Sequence, residues 1–464
     1  MGLAGTNFFY LAVQQGAGGG LDLPSIDFPY LGTRGIIGIV VLIHMFFAQL
    51  FIGYIIGSPI LQAWGARKGN ERMQRLSKAL DKFNVLTFSV GATFAGMFLV
   101  LLVGFYPRVT SALFTHFFWF FPVMAMTAMV LTLYLLYVYH YRTKRQSLLV
   151  GLGAAFFILV WQTILTGVDT YMVTGGGAGA NTVQSGGDLN NLGSALGDMF
   201  SLLSISLDLH RTFGNLSWPA FAVAGWAGFR YHWAKSPEDK AFYDWAGSMG
   251  VLWGTIFLLF QPFVGFVNVL SLKLLDYNSG NVSAPGASGP YNRLVGSGSD
   301  TWTSHLLYIN LLMVVALFVL SNAAMYMGAM SHPEREGRRS IQLLGLIAVV
   351  AGLYSVSPIA GFPVFWVRYV AMLIMVLATV GALVSYARAR RAFDYGSPGG
   401  GYRAVLMLLG VAAVLVTLNM GYMKSNSRAP YTIYGQDNYQ VSPEKPFKQS
   451  VLQPRSDPGN GKVP

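Results

Sequence analysis

The sequence contains no cysteine among its 464 residues. Disulfides, iron–sulfur clusters, covalently attached c-type haem and thiolate metal sites are therefore excluded, and redox logic says nothing about which compartment a loop faces. Charge is the second shortage: 11% of residues are charged, against about 25% in a soluble chain. With 53% hydrophobic residues and a mean hydropathy of +0.48, the chain reads as an all-α polytopic membrane protein. The third shortage is acid inside the apolar runs. Asp169 and Asp208 lie near the ends of two runs, and no run carries a central Glu. A proton pump normally needs a carboxylate or histidine relay, and none is visible. No signal peptide is expected, because residues 1–15 lack a basic start and the apolar stretch 7–13 is too short.

What is present is a series of long apolar runs. A membrane-spanning helix needs about 20 mainly apolar residues. Ten runs qualify, at 35–60, 85–106, 113–139, 148–173, 200–229, 245–272, 306–330, 341–356, 362–387 and 404–422. The eighth is short, and the break around Pro358 and Pro363 is compatible with a re-entrant turn. Basic residues follow the odd-numbered runs: Arg67, Arg72 and Arg75, then Arg142 and Lys144, Arg230 and Lys235, Arg338 and Arg339, and Arg388 and Arg390. The positive-inside rule puts these loops in the cytoplasm and both termini outside, as in a bacterial inner-membrane protein. The net charge of +12 does not indicate nucleic-acid binding, because the cations sit in short loops between apolar runs. Three regions follow: an outer lead-in at 1–34, a transmembrane bundle at 35–422 and a polar outer tail at 423–464. The longer non-helical stretches also lie on the outer side, so a partner surface is expected there, besides the lipid bilayer around the bundle.

Topology sorts the seven histidines. His140, His232 and His332 fall at inner helix ends beside basic residues and are expected to be solvated there. His44, His116, His210 and His305 fall in the outer halves of their runs. An ionisable residue inside a membrane helix is costly and reads as functional, and imidazole is the commonest haem-iron ligand. One or more haems held near the outer face by facing helices explain these four better than packing does. For His116 and His305, nearest the surface, an ordinary interfacial role weighs equally. Met372 is a further candidate ligand. It lies four residues after Arg368, on the same helix face. Arg368 reads either as a cation snorkelling to lipid headgroups or as the partner of a haem propionate.

Several of these stretches resemble subunit I of the cytochrome bd quinol oxidases. Arg34 to Pro59 with His44 is similar to that family's first helix and its high-spin-haem histidine. Lys82-Phe83-Asn84 through Gly91-Ala92-Thr93 resembles the start of its second helix. Leu209-His210-Arg211-Thr212 with Gly214 resembles the helix whose histidine ligates the low-spin haem b. Phe365-Trp366-Val367-Arg368 resembles the helix bearing an arginine and a methionine ligand, and Gly421-Tyr422-Met423-Lys424 with Arg428-Ala429-Pro430-Tyr431 a late family segment. There are departures. The family's methionine position is Val370 here, with Met372 half a turn on. Its two third-helix glutamates match Met126 and Tyr134. Its late glutamate matches Asn419. Its acidic quinol-loop motif has become Val264-Gly265-Phe266-Val267-Asn268, and two extra runs stand where the quinol loop would be.

The resemblance implies a bundle like cytochrome bd subunit I with one to three b haems, haem d being the less favoured alternative. His44, His210 and Met372 are the expected iron ligands, and His116 or His305 are alternatives opposite His210. Arg368 is the expected propionate partner. The expected function is that of a haem b electron-transfer subunit of a respiratory oxidoreductase complex. It would work with other membrane subunits and exchange electrons with a periplasmic c-type cytochrome or a quinone. The competing readings are a divergent terminal oxidase that reduces oxygen and, from another class, a haem-free transporter or scaffold.

Overall fold

The computed structural model describes residues 32–105, 107–141, 148–173, 188, 190–278, 291, 294, 301–332, 338–356, 367–427, 432–433 and 436–437. The lead-in up to residue 31, most of the tail, Phe365-Trp366 and Arg428-Ala429-Pro430-Tyr431 lie outside the described residues. The helices are α1 (Gly32–Lys68), α2 (Glu71–Phe105), α3 (Pro107–His116), α4 (Phe121–Tyr141), α5 (Leu148–Val173), α6 (Leu192–Met199), α7 (Leu202–Tyr231), α8 (Pro237–Leu258), α9 (Gln261–Asn278), α10 (Thr301–Ser331), α11 (Arg338–Val356), α12 (Val367–Ala389) and α13 (Gly400–Ser427). A two-residue antiparallel pair, Thr432–Ile433 with Gln436–Asp437, follows them. The chain is thus an all-helical multi-pass membrane bundle. Among the described residues, nine helices are long and apolar enough to cross a membrane, or ten when the bent pair α6 and α7, 52° apart, counts as one span. α8 and α9 together form one span, broken after Leu258.

Two expectations about span boundaries need correction. The third run does not start as continuous helix at Leu113. α3 ends at His116, a single 3₁₀ turn (Phe118–Phe120) follows, and α4 begins at Phe121. Rings pack within the aromatic run Phe117 to Phe121, and Pro122, in the first turn of α4, has no N–H to carry the helical ladder across the break. Nor is the stretch before residue 200 only loop. Asn191 caps α6 through the Ser194 amide, and Met199 packs so closely on Gly167 of α5 that a Cβ at Gly167 would collide with it.

α7 is the central helix, packed against α1, α5, α8, α9 and α13. Its crossing with α1 sets the depth of the two principal histidines. Pro219 lies inside α7 and removes one intrahelical hydrogen bond, which frees the carbonyl four residues earlier. That carbonyl, on Asn215, and the Pro219 ring both lie against Gly53 of α1, where no Cβ fits. Gly53→Leu is therefore expected to force α1 and α7 apart and to cost about 1–3 kcal/mol. The check is a lowered thermal midpoint in detergent, with reduced yield.

Candidate functional site

His44 precedes Gly53 by nine residues, and His210 precedes Pro219 by nine. The two helices run in the same direction, so both imidazoles lie ~13.5 Å from the crossing, at one depth. Nine residues also turn a helix by ~900°, which leaves a side chain half a turn from where it started. Each histidine therefore points away from the α1–α7 contact. His44 faces α2, with Nδ1 2.8 Å from the Gly91 carbonyl. A carbonyl only accepts, so Nδ1 carries the proton and Nε2 keeps its lone pair. His210 faces α9, where a Cβ at Gly265 would lie 3.4 Å from its Cε1. Its Nδ1 is buried without a hydrogen-bond partner, and Gln261 Nε2 donates to its main-chain carbonyl at 3.1 Å. The two histidines share a level but not a site.

Beside His210 runs a polar ladder between α5 and α7. The Asp208 carboxylate accepts from Gln162 Nε2 (2.9 Å), Thr163 Oγ1 (2.8 Å) and Thr166 Oγ1 (3.2 Å). Gln162 Oε1 accepts from Asn215 Nδ2 at 2.7 Å. Arg211 Nη1 donates to Thr166 Oγ1 at 2.8 Å and also pairs with Asp169. Lys424 Nζ, from α13, reaches the same Asp169 at 2.5 Å. Sequence periodicity showed two acids near helix ends and no relay. The structure assembles a continuous hydrogen-bonded strip from them, because Gln, Thr and Asn supply the missing rungs. Its signal in the sequence was the polar spacing Gln162, Thr163, Thr166, Asp169 and Thr170 along one face of α5.

The remaining candidates are dispersed. His116 is fully buried, and its Nε2 lies 2.8 Å from Asp198 Oδ2 of α6. Its ring stacks on Tyr171 at 4.7 Å. It sits at the end of α3, just before the third candidate span, which starts at Phe118. His305 is exposed near the start of α10. Arg368 and Met372 are half-buried on α12, which packs against α11, α10 and α8, whereas His210 belongs to α7. Val370 is exposed. Among the described residues no group of three or more His, Asp or Glu could hold a bare metal ion.

His332 overturns its expectation. Instead of being solvated it is 1% exposed, because the turn between α12 and α13 folds over it. Sequence adjacency to Arg335 and Arg338 suggested water; the tertiary return of residues 393–399 excludes it.

No protein-family model matches the chain, and no curated protein matches it. Among solved structures it is similar to the bd oxidase of Geobacillus thermodenitrificans, at 14% identity and a TM-score of 0.45, over 85% of this chain and 97% of that one. Similarity at that level leaves the functional reading to the residues.

Proposed function

We propose that this chain is a haem b electron-transfer subunit of a membrane oxidoreductase complex, with separate haem sites at His44 and His210. The observation that carries the reading is the pair of imidazoles at matching positions along α1 and α7, with unspent ligating nitrogens. Metal-bound histidine characteristically donates its other ring N–H to a carbonyl or carboxylate, and the His44 bond to Gly91 has that form. The orphaned Nδ1 of His210 beside Gly265, where a side chain is missing, fits an imidazole whose partner is a bound group. Haem iron, when bound, supplies a one-electron couple. The chain's own residues orient the imidazoles and exclude water. Arg211 and Lys424, which share Asp169, place two cations at the same end of the bundle, where propionates would be favoured. Oxidised and dithionite-reduced spectra of the purified protein test the reading. A Soret band with low-spin b-type maxima is expected; a protein without one is a haem-free transporter or scaffold.

One cavity supports a quinone as the exchange partner within the membrane. It measures about 180 Å³ and lies among Phe46, Tyr54, Phe83, Thr87, Trp218 and Trp226. An engineered cavity of about 150 Å³ takes a benzene ring, so this one is ring-sized.

The proposed orientation puts the basic loops in the cytoplasm. The chain has no cysteine of its own, so single cysteines report cleanly. A cysteine at Lys78 is expected to resist a membrane-impermeant maleimide in intact spheroplasts, and one at Asn190 to react. The reverse pattern would invert the topology.

A further inference from the structure

We infer that His332 and Asp244 form a proton-dependent latch that holds the α12–α13 turn and α10 against α8. The geometry fixes the protonation. His332 Nδ1 is 2.7 Å from the Gly328 carbonyl, and Nε2 is 3.0 Å from Asp244 Oδ2. The Gly328 carbonyl only accepts, and so does Asp244 as a carboxylate, so with Asp244 charged both ring nitrogens donate and the ring is an imidazolium. The cation is clamped on its face by Phe393, with rings 4.4 Å apart and 2° from parallel.

Asp244 reads both sides of the latch. The same Oδ2 accepts the Gly396 amide at 2.9 Å, while Oδ1 is buried without a partner. Gly396 takes φ +134°, a backbone state that a side chain rarely adopts, and its carbonyl accepts from Tyr231 at 2.7 Å. Gly399 N–H adds a bond to Ser331 Oγ at 3.1 Å. The turn is therefore tied to α7, α8 and α10 at once. Losing the imidazolium proton breaks one of the two ring bonds, to the Gly328 carbonyl or to Asp244, and removes the positive charge that the buried carboxylate pairs with.

Among the described residues, the groups facing His332 are these. From α8 come Asp244 and Ser248, and from the turn Asp394 and Tyr395. Arg390 closes the end of α12 and donates from Nε to Ser248 Oγ at 3.0 Å. Tyr386 of α12 and Tyr402 of α13 meet with hydroxyls 3.4 Å apart. Arg72 of α2 lies over the Tyr395 ring at 5.4 Å. Burial lowers the affinity of His332 for its proton. The Asp244 bond and charge, the Gly328 carbonyl and Asp394 outweigh that, so its pKa stands above the ordinary 6.5. The sign follows: the latch is whole below pH 6.5 and is lost as pH rises through the raised value. The latch stands without any bound group, so its fate is separable from that of the haem reading.

Hydrogen exchange of the full chain in nanodiscs tests the latch. Protection of the 393–399 peptide, corrected for the intrinsic pH dependence of exchange, is expected to be constant up to about pH 6.5 and then to fall by up to ~tenfold per pH unit. The turn at Gly69–Asn70, which has no histidine, should stay level. His332→Gln should give weak, pH-independent protection of the 393–399 peptide. A flat wild-type profile, a parallel loss at both turns, or an unchanged pH profile in His332→Gln would each overturn the proposal. The wild-type comparison of the two turns stands even where the variant fails to fold.

Discussion

Replacing His210 with alanine is expected to abolish the low-spin α-band of the reduced protein while leaving the absorbance associated with His44. The reasoning is geometric. His210 is the histidine whose buried Nδ1 has no protein partner. The space beside it is kept open by Gly265, and Gln261 holds the local backbone through the His210 carbonyl. Alanine removes the imidazole without touching that carbonyl bond or the Asp208 ladder, so the helix should persist. Because His44 and His210 face away from each other across the α1–α7 crossing, His44→Ala should remove a different component. Loss of the same band in both variants would mean that the two imidazoles share one site, against the half-turn argument. Retention of a normal band in His210→Ala would assign the ligand elsewhere. The redox midpoint distinguishes the opposite ligand, since a thioether such as Met372 raises it relative to two imidazoles.

Quinol-driven oxygen consumption is expected to be negligible. Reducing oxygen to water consumes protons, and positioned proton donors contribute about 10²–10⁴-fold to such steps. The third-helix positions where the similar family carries carboxylates hold Met126 and Tyr134. Met126 is 58% exposed on the outside of the bundle, where it can neither relay a proton nor face a site. Tyr134 is buried in an apolar cluster with Phe51, Ile55 and Leu131. Asn419, at the late glutamate position, donates to the Leu306 carbonyl at 3.2 Å and so ties α13 to α10. The Asp208 ladder is a polar strip, but its carboxylate is held by three donors, and its far end lies at Asp169, which is held between Arg211 and Lys424. Oxygen-electrode traces with quinol and with reduced cytochrome c are the check. Fast cyanide-sensitive turnover with either donor would replace the electron-transfer reading with the oxidase one.

Much of the architecture was legible in composition and pattern. Long apolar runs must form helices in hydrocarbon because every backbone polar group has to be satisfied within the segment. Span number therefore follows from counting runs, even where a span is bent, as between α6 and α7 or between α8 and α9. His44 and His210 stood out for the same reason, since a titratable ring in such a run is conspicuous. The two long helices that carry them, α1 and α7, need no tertiary information to be placed in the membrane.

Other features depended on which helix lies beside which. The prolines of α1 and α7 are visible in the sequence, but that the carbonyl freed by Pro219 meets Gly53 is a fact about two helices far apart in the chain. That one contact sets both histidines at one depth and turns them to opposite sides. His116 could be read from sequence as a haem ligand or as an interfacial residue; the structure sets it against Asp198 at the end of α3. His332 looked like an interface residue until residues 393–399 returned over it. In each case the sequence by itself determined the chemistry of the group and the helix that carries it. Only the tertiary structure decided its partner, because a side chain's hydrogen bonds and burial come from neighbours that hydropathy, a property of one segment, does not encode.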